Sequence, residues 1–364
     1  MGGVGELNGV ITVHGLGVAG STLAYIASRM GFKVVGLDIA PRYRKACGDV
    51  VTLRGYTREL LKATDSILTF ARSFEVRVGG VEVAYIDFKE PIWAMVDKPK
   101  LVNTLRYMAE VEGAKILAGR GRIEGGRGLV VDARGPYSHR LEDTVLTVRL
   151  IAKTRWEPGL ALIDFDVENM GFYWVFPLDD DGSLVNLGVG LMSVRDGSLL
   201  KALALRYYRR LRGLEPGVVD FKGAPVAVEA PVKLYDGVAY RVGEAAGLIN
   251  STSGEGNRYA IHSAIALAMA LDKGGGLLGV YKRLLQGLLD EVTLSRRLLK
   301  AVKTLSPKAR LTLMRMAPRE FWVDWLKGRF TRRTMVRLFE SELLNLARGT
   351  RLRELKPQRH NPTL

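Results

Sequence analysis

The chain has 364 residues, 47% hydrophobic and 25% charged, which is typical of a folded protein with more than one domain. Its formal net charge of +16 favours an anionic partner. The single cysteine excludes an intramolecular disulfide framework and a cysteine-based zinc cluster. We expect a cytoplasmic protein without a cleaved leader or a membrane span, and peripheral attachment to the inner face of the membrane stays open.

The first elements form a strand, helix and strand around three glycines. An apolar run at 10–14 enters Gly15-x-Gly17-x-x-Gly20, a helical pattern follows, and a second apolar run ends in Asp38. Gly15 permits a tight turn, Gly17 lets backbone N–H groups approach a pyrophosphate, and Gly20 lets the helix pack against the strand. In such units an acid at the position of Asp38 binds the ribose hydroxyls. The pattern predicts a dinucleotide site. An ordinary glycine-rich turn would explain the glycines but not the acid.

Strand and helix patterns then alternate. The spacing of Leu60 to Ala71 predicts a helix, and alternating apolar residues at 74–87 predict a hairpin. Asp97-Lys98-Pro99 precedes an amphipathic helix, and a strand pattern at 128–134 returns to the first domain.

The second half of the chain changes character twice. From Asp143 to Val232 strand patterns dominate, and a strand at 237–243 then returns to the dinucleotide domain. From Tyr281 onward the pattern is helical, with basic residues opposite an apolar face. The predicted fold class is therefore α/β: a Rossmann-type domain, an inserted antiparallel β-sheet domain and a C-terminal helical segment.

Three later segments make the opening pattern specific. They are Asp132-Ala133-Arg134-Gly135, Tyr173-Trp174-Val175-Phe176-Pro177, and Gly243-Glu244-Ala245-Ala246-Gly247, the last followed by Gly254-Glu255-Gly256. Together with Lys45-x-Cys47-Gly48, they make residues 10–271 resemble the geranylgeranyl reductase family of FAD-dependent flavoproteins, which shares its fold with para-hydroxybenzoate hydroxylase.

The resemblance implies FAD as cofactor and a discontinuous FAD-binding domain. The implied ranges are 1–75, 98–140 and 237–275 for that domain, 76–97 and 141–236 for the substrate domain, and 276–364 for the basic helical segment. The implied FAD-binding residues are Gly15, Gly17, Ala19, Gly20, Asp38, Cys47, Gly48, Lys98, Gly243, Glu244, Gly247, Gly254 and Gly256. Three positions depart from the family: Glu244 replaces an aspartate, Lys98 an arginine, and Ser251 the proline of an Asn-Pro pair.

The resemblance also implies candidate catalytic residues: Cys47, Tyr173, Trp174 and Phe176. Side chains alternate along a strand, so Trp174 and Phe176 face one side and Tyr173 the other. We favour the first pair as facing the substrate, with simple core packing as the alternative. Cys47 lies among basic residues, which would lower a thiol pKa, and proton delivery or substrate positioning stands beside the alternative of a small buried hydrophobe.

The implied activity is hydrogenation of C=C bonds in a geranylgeranyl or polyprenyl lipid or diphosphate. The electron donor would be NAD(P)H or a ferredoxin-like protein. The alternatives are an FAD-dependent monooxygenase of aromatic or apolar substrates and a non-catalytic flavoprotein that binds lipid or a partner. Aromatic and basic residues at 319–337 suggest an anionic membrane surface, against a basic face over an ordinary core. No nucleic-acid module and no metal-ligand spacing are recognisable.

Overall fold

The computed structural model describes residues 9–40, 43, 45, 48–119, 121, 123, 128–273 and 276–338. In chain order the strands are β1 (Val10–His14), β2 (Val34–Asp38), β3 (Val50–Thr52), β4 (Ile67–Ala71), β5 (Ser73–Val78), β6 (Val81–Asp87), β7 (Trp93–Val96), β8 (Lys115–Ala118), β9 (Gly128–Asp132), β10 (Val145–Lys153), β11 (Leu160–Asp166), β12 (Gly171–Pro177), β13 (Leu184–Leu191), β14 (Gly217–Val226) and β15 (Tyr240–Arg241). The helices are α1 (Val18–Arg29), α2 (Thr57–Ala63), α3 (Lys98–Val111), α4 (Gly197–Arg212), α5 (Asn257–Asp272), α6 (Leu277–Leu284), α7 (Gln286–Thr304), α8 (Pro307–Arg315) and α9 (Arg319–Leu326).

The first sheet is parallel, with the strand order β15-β9-β1-β2-β8. In its central strand β1, Ile11 and Val13 are apolar and buried, as expected for a strand covered on both faces. Helix α1 follows the glycine turn and packs against α3 and α5. A Cβ on Gly20 would lie 1.9 Å from the Gly15 carbonyl oxygen, so glycine is required there for α1 to pack. The predicted Rossmann-type unit is confirmed.

The second sheet has seven strands in the order β14-β10-β13-β12-β11-β5-β6. Its neighbours are antiparallel except for β11 and β5, which run parallel. One face is covered by α4, and the other faces the C-terminal helices. The predicted antiparallel sheet and C-terminal helices are confirmed, whereas the exact domain boundaries stay a prediction.

A small sheet, β3-β7-β4, lies between these two layers. It corrects the helix predicted over Leu60 to Ala71, because α2 ends at Ala63 and β4 begins at Ile67. Asp65 has a left-handed backbone (φ 46°), which breaks the helix. The next residues pair with β7, so tertiary pairing overrides the local helical spacing.

The C-terminal helices close the molecule over the second sheet. Trp322 and Phe330 are almost completely buried there, and a helical run at 332–338 follows α9. Within the described ranges, no helix combines the length and apolar character needed to cross a bilayer.

Candidate functional site

A large cavity lies between the two main sheets and the C-terminal helices. Its volume is about 1160 Å³, above the roughly 300–1,000 Å³ of pockets that hold one drug-sized ligand. The glycine turn after β1 lines one end, and aromatic side chains from β12 and α9 line the other. The cavity therefore has room for a dinucleotide and a second molecule.

The dinucleotide end is built from backbone. Gly15, Gly17 and Ala19 line it, and Gly17 caps the N-terminus of α1 without a side-chain cap bond. The first N–H groups of a helix have no partner within the helix, and the helix dipole favours negative charge beside them. This end therefore fits the pyrophosphate of FAD. Gly20 does not line the cavity: it permits the close packing described above, as its predicted role requires.

Asp38 also lines this end, at the tip of β2. Its Oδ2 accepts hydrogen bonds from the Leu16 backbone N–H (2.6 Å) and from the Arg106 guanidinium (3.0 Å). Arg106 further donates to the Leu16 carbonyl oxygen at 2.7 Å, and burial lowers its pKa. The sequence reading missed Arg106. Its position on the buried face of α3, beside Leu105 and Ala109, is the signal that could have found it.

The second glycine turn comes against the first. A Cβ on Gly243 (φ 58°) would lie 2.9 Å from the Ala19 Cβ, so glycine lets the turn reach the start of α1. Glu244 lines the cavity. Its Oε2 accepts from the Lys45 ammonium (2.9 Å) and its Oε1 from the Ala227 N–H (2.7 Å). The longer side chain thus ties two segments together at the cavity wall.

Gly247 ends the second glycine turn. It is left-handed (φ 69°), and a Cβ there would lie 2.4 Å from the Pro231 carbonyl oxygen. It is absent from the cavity lining among the described residues. Gly247 therefore shapes the turn, and its direct contact with the cofactor stays a prediction.

The loop before α5 forms the middle of the cavity. The Asn250 side-chain oxygen accepts from the backbone N–H groups of Thr252 (2.9 Å) and Ser253 (3.2 Å), which orders the loop without the proline of the family. Gly254 and Gly256 line the cavity, and Gly256 caps α5 without a side-chain cap bond. The N-terminus of α5 is thus placed to stabilise negative charge on a reduced flavin ring.

Trp174 and Phe176 face the cavity from β12, as predicted. The Trp174 indole N–H donates to the Asn186 side-chain oxygen at 2.9 Å. Tyr173 points to the other face of the sheet and stacks on Tyr207 of α4, with ring centroids 4.5 Å apart. The proposed catalytic role of Tyr173 is therefore wrong for this geometry, because a residue on that face cannot contact the substrate cavity.

Residues around position 48 form the floor between the two ends. Lys98 begins α3, lines the cavity and lies over the Tyr43 ring, 5.5 Å from its centroid. Gly48 also lines the cavity, and a Cβ there would lie 3.4 Å from the Phe176 ring. The cofactor contacts of both stay a prediction. Cys47 lies outside the described residues.

The aromatic residues of the C-terminal segment line the apolar end. Phe321, Trp322 and Trp325 are buried and face the cavity. The Trp325 indole N–H donates to the Thr252 hydroxyl (3.1 Å), which joins α9 to the loop before α5. These are the residues on which the membrane expectation rested. They form a cavity wall, and sequence reasoning did not identify them as substrate-facing.

Comparison with known proteins agrees with this geometry. No protein-family model matches the chain. It is similar to the menaquinone reductases of Mycobacterium tuberculosis (29% identity over 315 residues, 72% of this chain and 76% of the relative) and of Mycolicibacterium smegmatis (27% over 317 residues, 73% and 76%).

Solved structures match over nearly the whole length. A geranylgeranyl bacteriochlorophyll reductase-like protein from Thermoplasma acidophilum superposes with a TM-score of 0.73 at 16% identity, covering 94% of this chain and 98% of that one. A flavoprotein/dehydrogenase from Cytophaga hutchinsonii gives a TM-score of 0.68 at 13% identity, with 93% and 99% covered. The solved structures confirm the predicted fold, that of the geranylgeranyl reductase-like flavoproteins, and the prediction of FAD as cofactor agrees with the flavoproteins among them.

Proposed function

We propose that the chain is an FAD-dependent reductase that hydrogenates C=C bonds in the polyprenyl chain of a lipid. The observation that carries this proposal is the continuity of the cavity. It runs from the two glycine turns, past the N-terminus of α5, to an aromatic wall made by Trp174, Phe176 and Trp322. A second molecule in that space lies next to the position where the flavin ring fits.

The apolar end supports a hydrocarbon substrate. Its lining includes Phe165, Phe172, Leu298 and Leu313 from the seven-stranded sheet and the C-terminal helices. Apolar and aromatic walls stabilise a bound hydrocarbon by removing it from water. The similarity to menaquinone reductases supports the same class, since menaquinone carries a polyprenyl side chain.

When bound along the two glycine turns, FAD would supply the hydride that the reduction of an alkene needs. The protein would hold the alkene against the rings of Trp174 and Phe176, which stack on each other with centroids 6.2 Å apart, and the apolar walls would exclude water. The N-terminus of α5 would stabilise negative charge on a flavin ring bound beside it. The second hydrogen would arrive as a proton from water or from an acid of the site.

An anaerobic turnover assay tests the proposal. The flavin is photoreduced and mixed with menaquinone, geranylgeranyl diphosphate or a geranylgeranyl lipid, and flavin reoxidation is followed with mass spectrometry of the lipid. We expect reoxidation with a gain of one H₂ per reduced double bond. Trp174→Ala should lose this activity, whereas Tyr173→Phe, altered on the opposite face of the same strand, should keep it.

Other outcomes discriminate the alternatives. Reoxidation that needs oxygen and yields a hydroxylated product would favour a monooxygenase on the same fold. A flavin-loaded protein that binds lipid without turnover would favour the non-catalytic alternative. Rates of anaerobic flavin reduction by NAD(P)H and by a reduced ferredoxin decide between the two proposed donors.

Peripheral attachment to an anionic membrane is a further part of the proposal. With the aromatic residues buried, its support is reduced to the exposed basic side chains Arg329, Arg332 and Arg333. Such charges contribute about 1 kcal/mol each near an acidic surface. Sedimentation with acidic vesicles but not with neutral ones would support attachment, and absence from both would exclude it.

A further inference from the structure

A hydrogen-bonded chain of three side chains leads from the cavity wall into the protein interior. The Trp174 indole N–H donates to the Asn186 side-chain oxygen at 2.9 Å. The Asn186 amide N–H then donates to Asp49 Oδ2 at 3.1 Å. Asn186 is fully buried, so the chain connects a substrate-facing ring to an acid that sequence reasoning did not single out.

The surroundings of Trp174 fit this single orientation of the indole. A Cβ on Gly188, its partner residue on β13, would lie 2.1 Å from the indole ring. Glycine at 188 therefore leaves the space in which the ring lies against the sheet. Gly48 presents its backbone to the same ring, since a Cβ there would lie 4.0 Å from the indole nitrogen. The ring is thus enclosed on two sides, and Asn186 fixes its polar edge.

Asp49 is held in an unusual position. Its backbone is left-handed (φ 56°), a conformation that aspartate and asparagine tolerate better than most residues. Its carbonyl oxygen accepts from the Val96 N–H at 2.8 Å. The charged groups that face it are Lys98 and Asp97 at the start of α3 and Arg149 of β10, whose Nε is 3.9 Å away. Asp220 lies on the other side of Arg149, at 2.9 Å.

We propose that Asp49 is a positioning residue for the aromatic wall: its carboxylate holds the Asn186 amide, and that amide holds the Trp174 indole against the substrate. A charged acceptor makes a hydrogen bond about twice as strong as a neutral one. Loss of the Asp49 charge therefore weakens the hydrogen bonds that link Asp49, Asn186 and Trp174, whereas the fold is kept. The role in substrate binding rests on the proposed function, whereas the orientation of the indole does not.

Protonation of the Asp49 carboxylate removes this charge in the wild-type protein. Burial raises the pKa of Asp49 to about 6, against the opposing effect of Lys98 and Arg149. Above that pH the carboxylate holds Asn186 through a charge-assisted bond, and below it the bond becomes neutral. The orientation of Trp174 should therefore titrate with the Asp49 carboxyl group.

The indole N–H signal of Trp174 tests this directly in the FAD-loaded protein. The chain has five tryptophans, so ¹⁵N-tryptophan labelling gives few signals, and Trp174→Phe identifies the relevant one. We expect its chemical shift to move with a midpoint near pH 6 in the wild type and to stay constant in Asp49→Asn. Asp220→Asn, which removes the acid on the other side of Arg149, should keep the titration. A wild-type signal that does not titrate, or that still titrates in Asp49→Asn, overturns the proposal.

Substrate binding gives a second, independent measurement. Asp49→Asn should raise the KM for the lipid about three- to tenfold above pH 6 and change kcat less, since a charge-assisted bond becomes neutral. The exchanged pair, Asp49→Asn with Asn186→Asp, places the carboxylate at 186, where it accepts from both the indole and the amide at 49. This exchanged pair should restore the wild-type KM. A KM that stays raised would contradict the proposed link between positions 49, 186 and 174. A titrating indole in a protein without lipid turnover would refute the proposed function alone.

Discussion

The two ends of the cavity are built in different ways. The dinucleotide end is built mainly on two glycine turns, in which Gly15, Gly17, Gly254 and Gly256 line the cavity, with a few side chains such as Asp38 and Glu244. The apolar end consists of large side chains from the seven-stranded sheet and from helices far along the chain. Backbone sites need fixed glycine spacing, whereas an apolar wall needs only volume and hydrophobicity. The first end therefore requires particular residues at particular positions, whereas the second can be built from many combinations of apolar residues.

The largest change in stability is expected in the first glycine turn, where Gly17 and Gly20 have different roles. In Gly20→Val the new Cβ meets the Gly15 carbonyl oxygen at 1.9 Å, so we expect a loss of more than about 4 kcal/mol and little folded protein. In Gly17→Ala the nearest atom to the Cβ is in the Tyr43 ring at 3.7 Å. This variant should fold and lose FAD, because the methyl group takes pyrophosphate space.

Circular dichroism melts and the ratio of flavin to protein absorbance separate the two outcomes. Gly17→Ala that keeps full FAD binding would contradict the placement of the pyrophosphate. Gly20→Val with a native melting temperature would contradict the packing of α1 on β1.

This contrast explains how far the sequence could predict the structure. The glycine turns, Asp38 and the alternation that turns Trp174 toward the cavity are local signals, and the structure brings Gly15, Gly17, Asp38 and Trp174 to the cavity. Arg106 and Asp49 were missed because their importance comes from contacts with Asp38 and Asn186, distant in sequence. The sequence of α9 left two interpretations open, a membrane-contacting surface and a basic face over an ordinary core, since aromatic and basic residues alternate there in either case.

The next largest change in stability is expected at the apolar end of the cavity. Trp322 is 1% exposed and packs on Phe165 and Phe321. Trp322→Ala should cost about 3–5 kcal/mol in unfolding free energy. Its indole N–H is buried and has no hydrogen-bond partner in the described part of the chain, so Trp322→Phe should cost much less. Val336, 50% exposed on the same segment, should tolerate alanine within about 0.5 kcal/mol.

Denaturant unfolding monitored by circular dichroism measures these differences. Equal costs for Trp322→Ala and Val336→Ala would show that α9 is not packed as a cavity wall.

Asp49→Asn should produce a smaller change in the free energy of unfolding, and the change should be a gain in stability. The pKa of Asp49 is raised from 3.8 to about 6, so between these values the folded chain holds a proton that the unfolded chain releases. The contribution of this group to stability is therefore highest below pH 3.8 and falls as pH rises through about 6. Asp49→Asn should gain about 1–3 kcal/mol above that window and lose this advantage below it.

Asp220 provides the matched control. Its pKa is lowered by hydrogen bonds and charges from Lys222 and Arg149, although partial burial acts the other way, so Asp220→Asn should lose stability at neutral pH. Denaturant unfolding of both variants across the pH range checks the two signs. A destabilised Asp49→Asn at neutral pH would mean that Lys98 and Arg149 outweigh burial. Increased stability with a raised KM would identify Asp49 as a group kept for binding at a cost in stability.

The smallest effect is expected from Glu244, where the dinucleotide end departs from the pattern of the geranylgeranyl reductase family. Its two oxygens accept from the Lys45 ammonium and the Ala227 N–H, and Glu244→Asp shortens the side chain so that both bonds cannot be kept. One lost, partly buried bond costs about 1 kcal/mol, or about fivefold in FAD affinity if the turn loosens. Glu229→Asp is the control, because its pair with Lys303 is more exposed and contributes less. Titration of the apoprotein with FAD decides it: tighter binding by Glu244→Asp would mean that the carboxylate contacts the cofactor itself, as the family aspartate is expected to do.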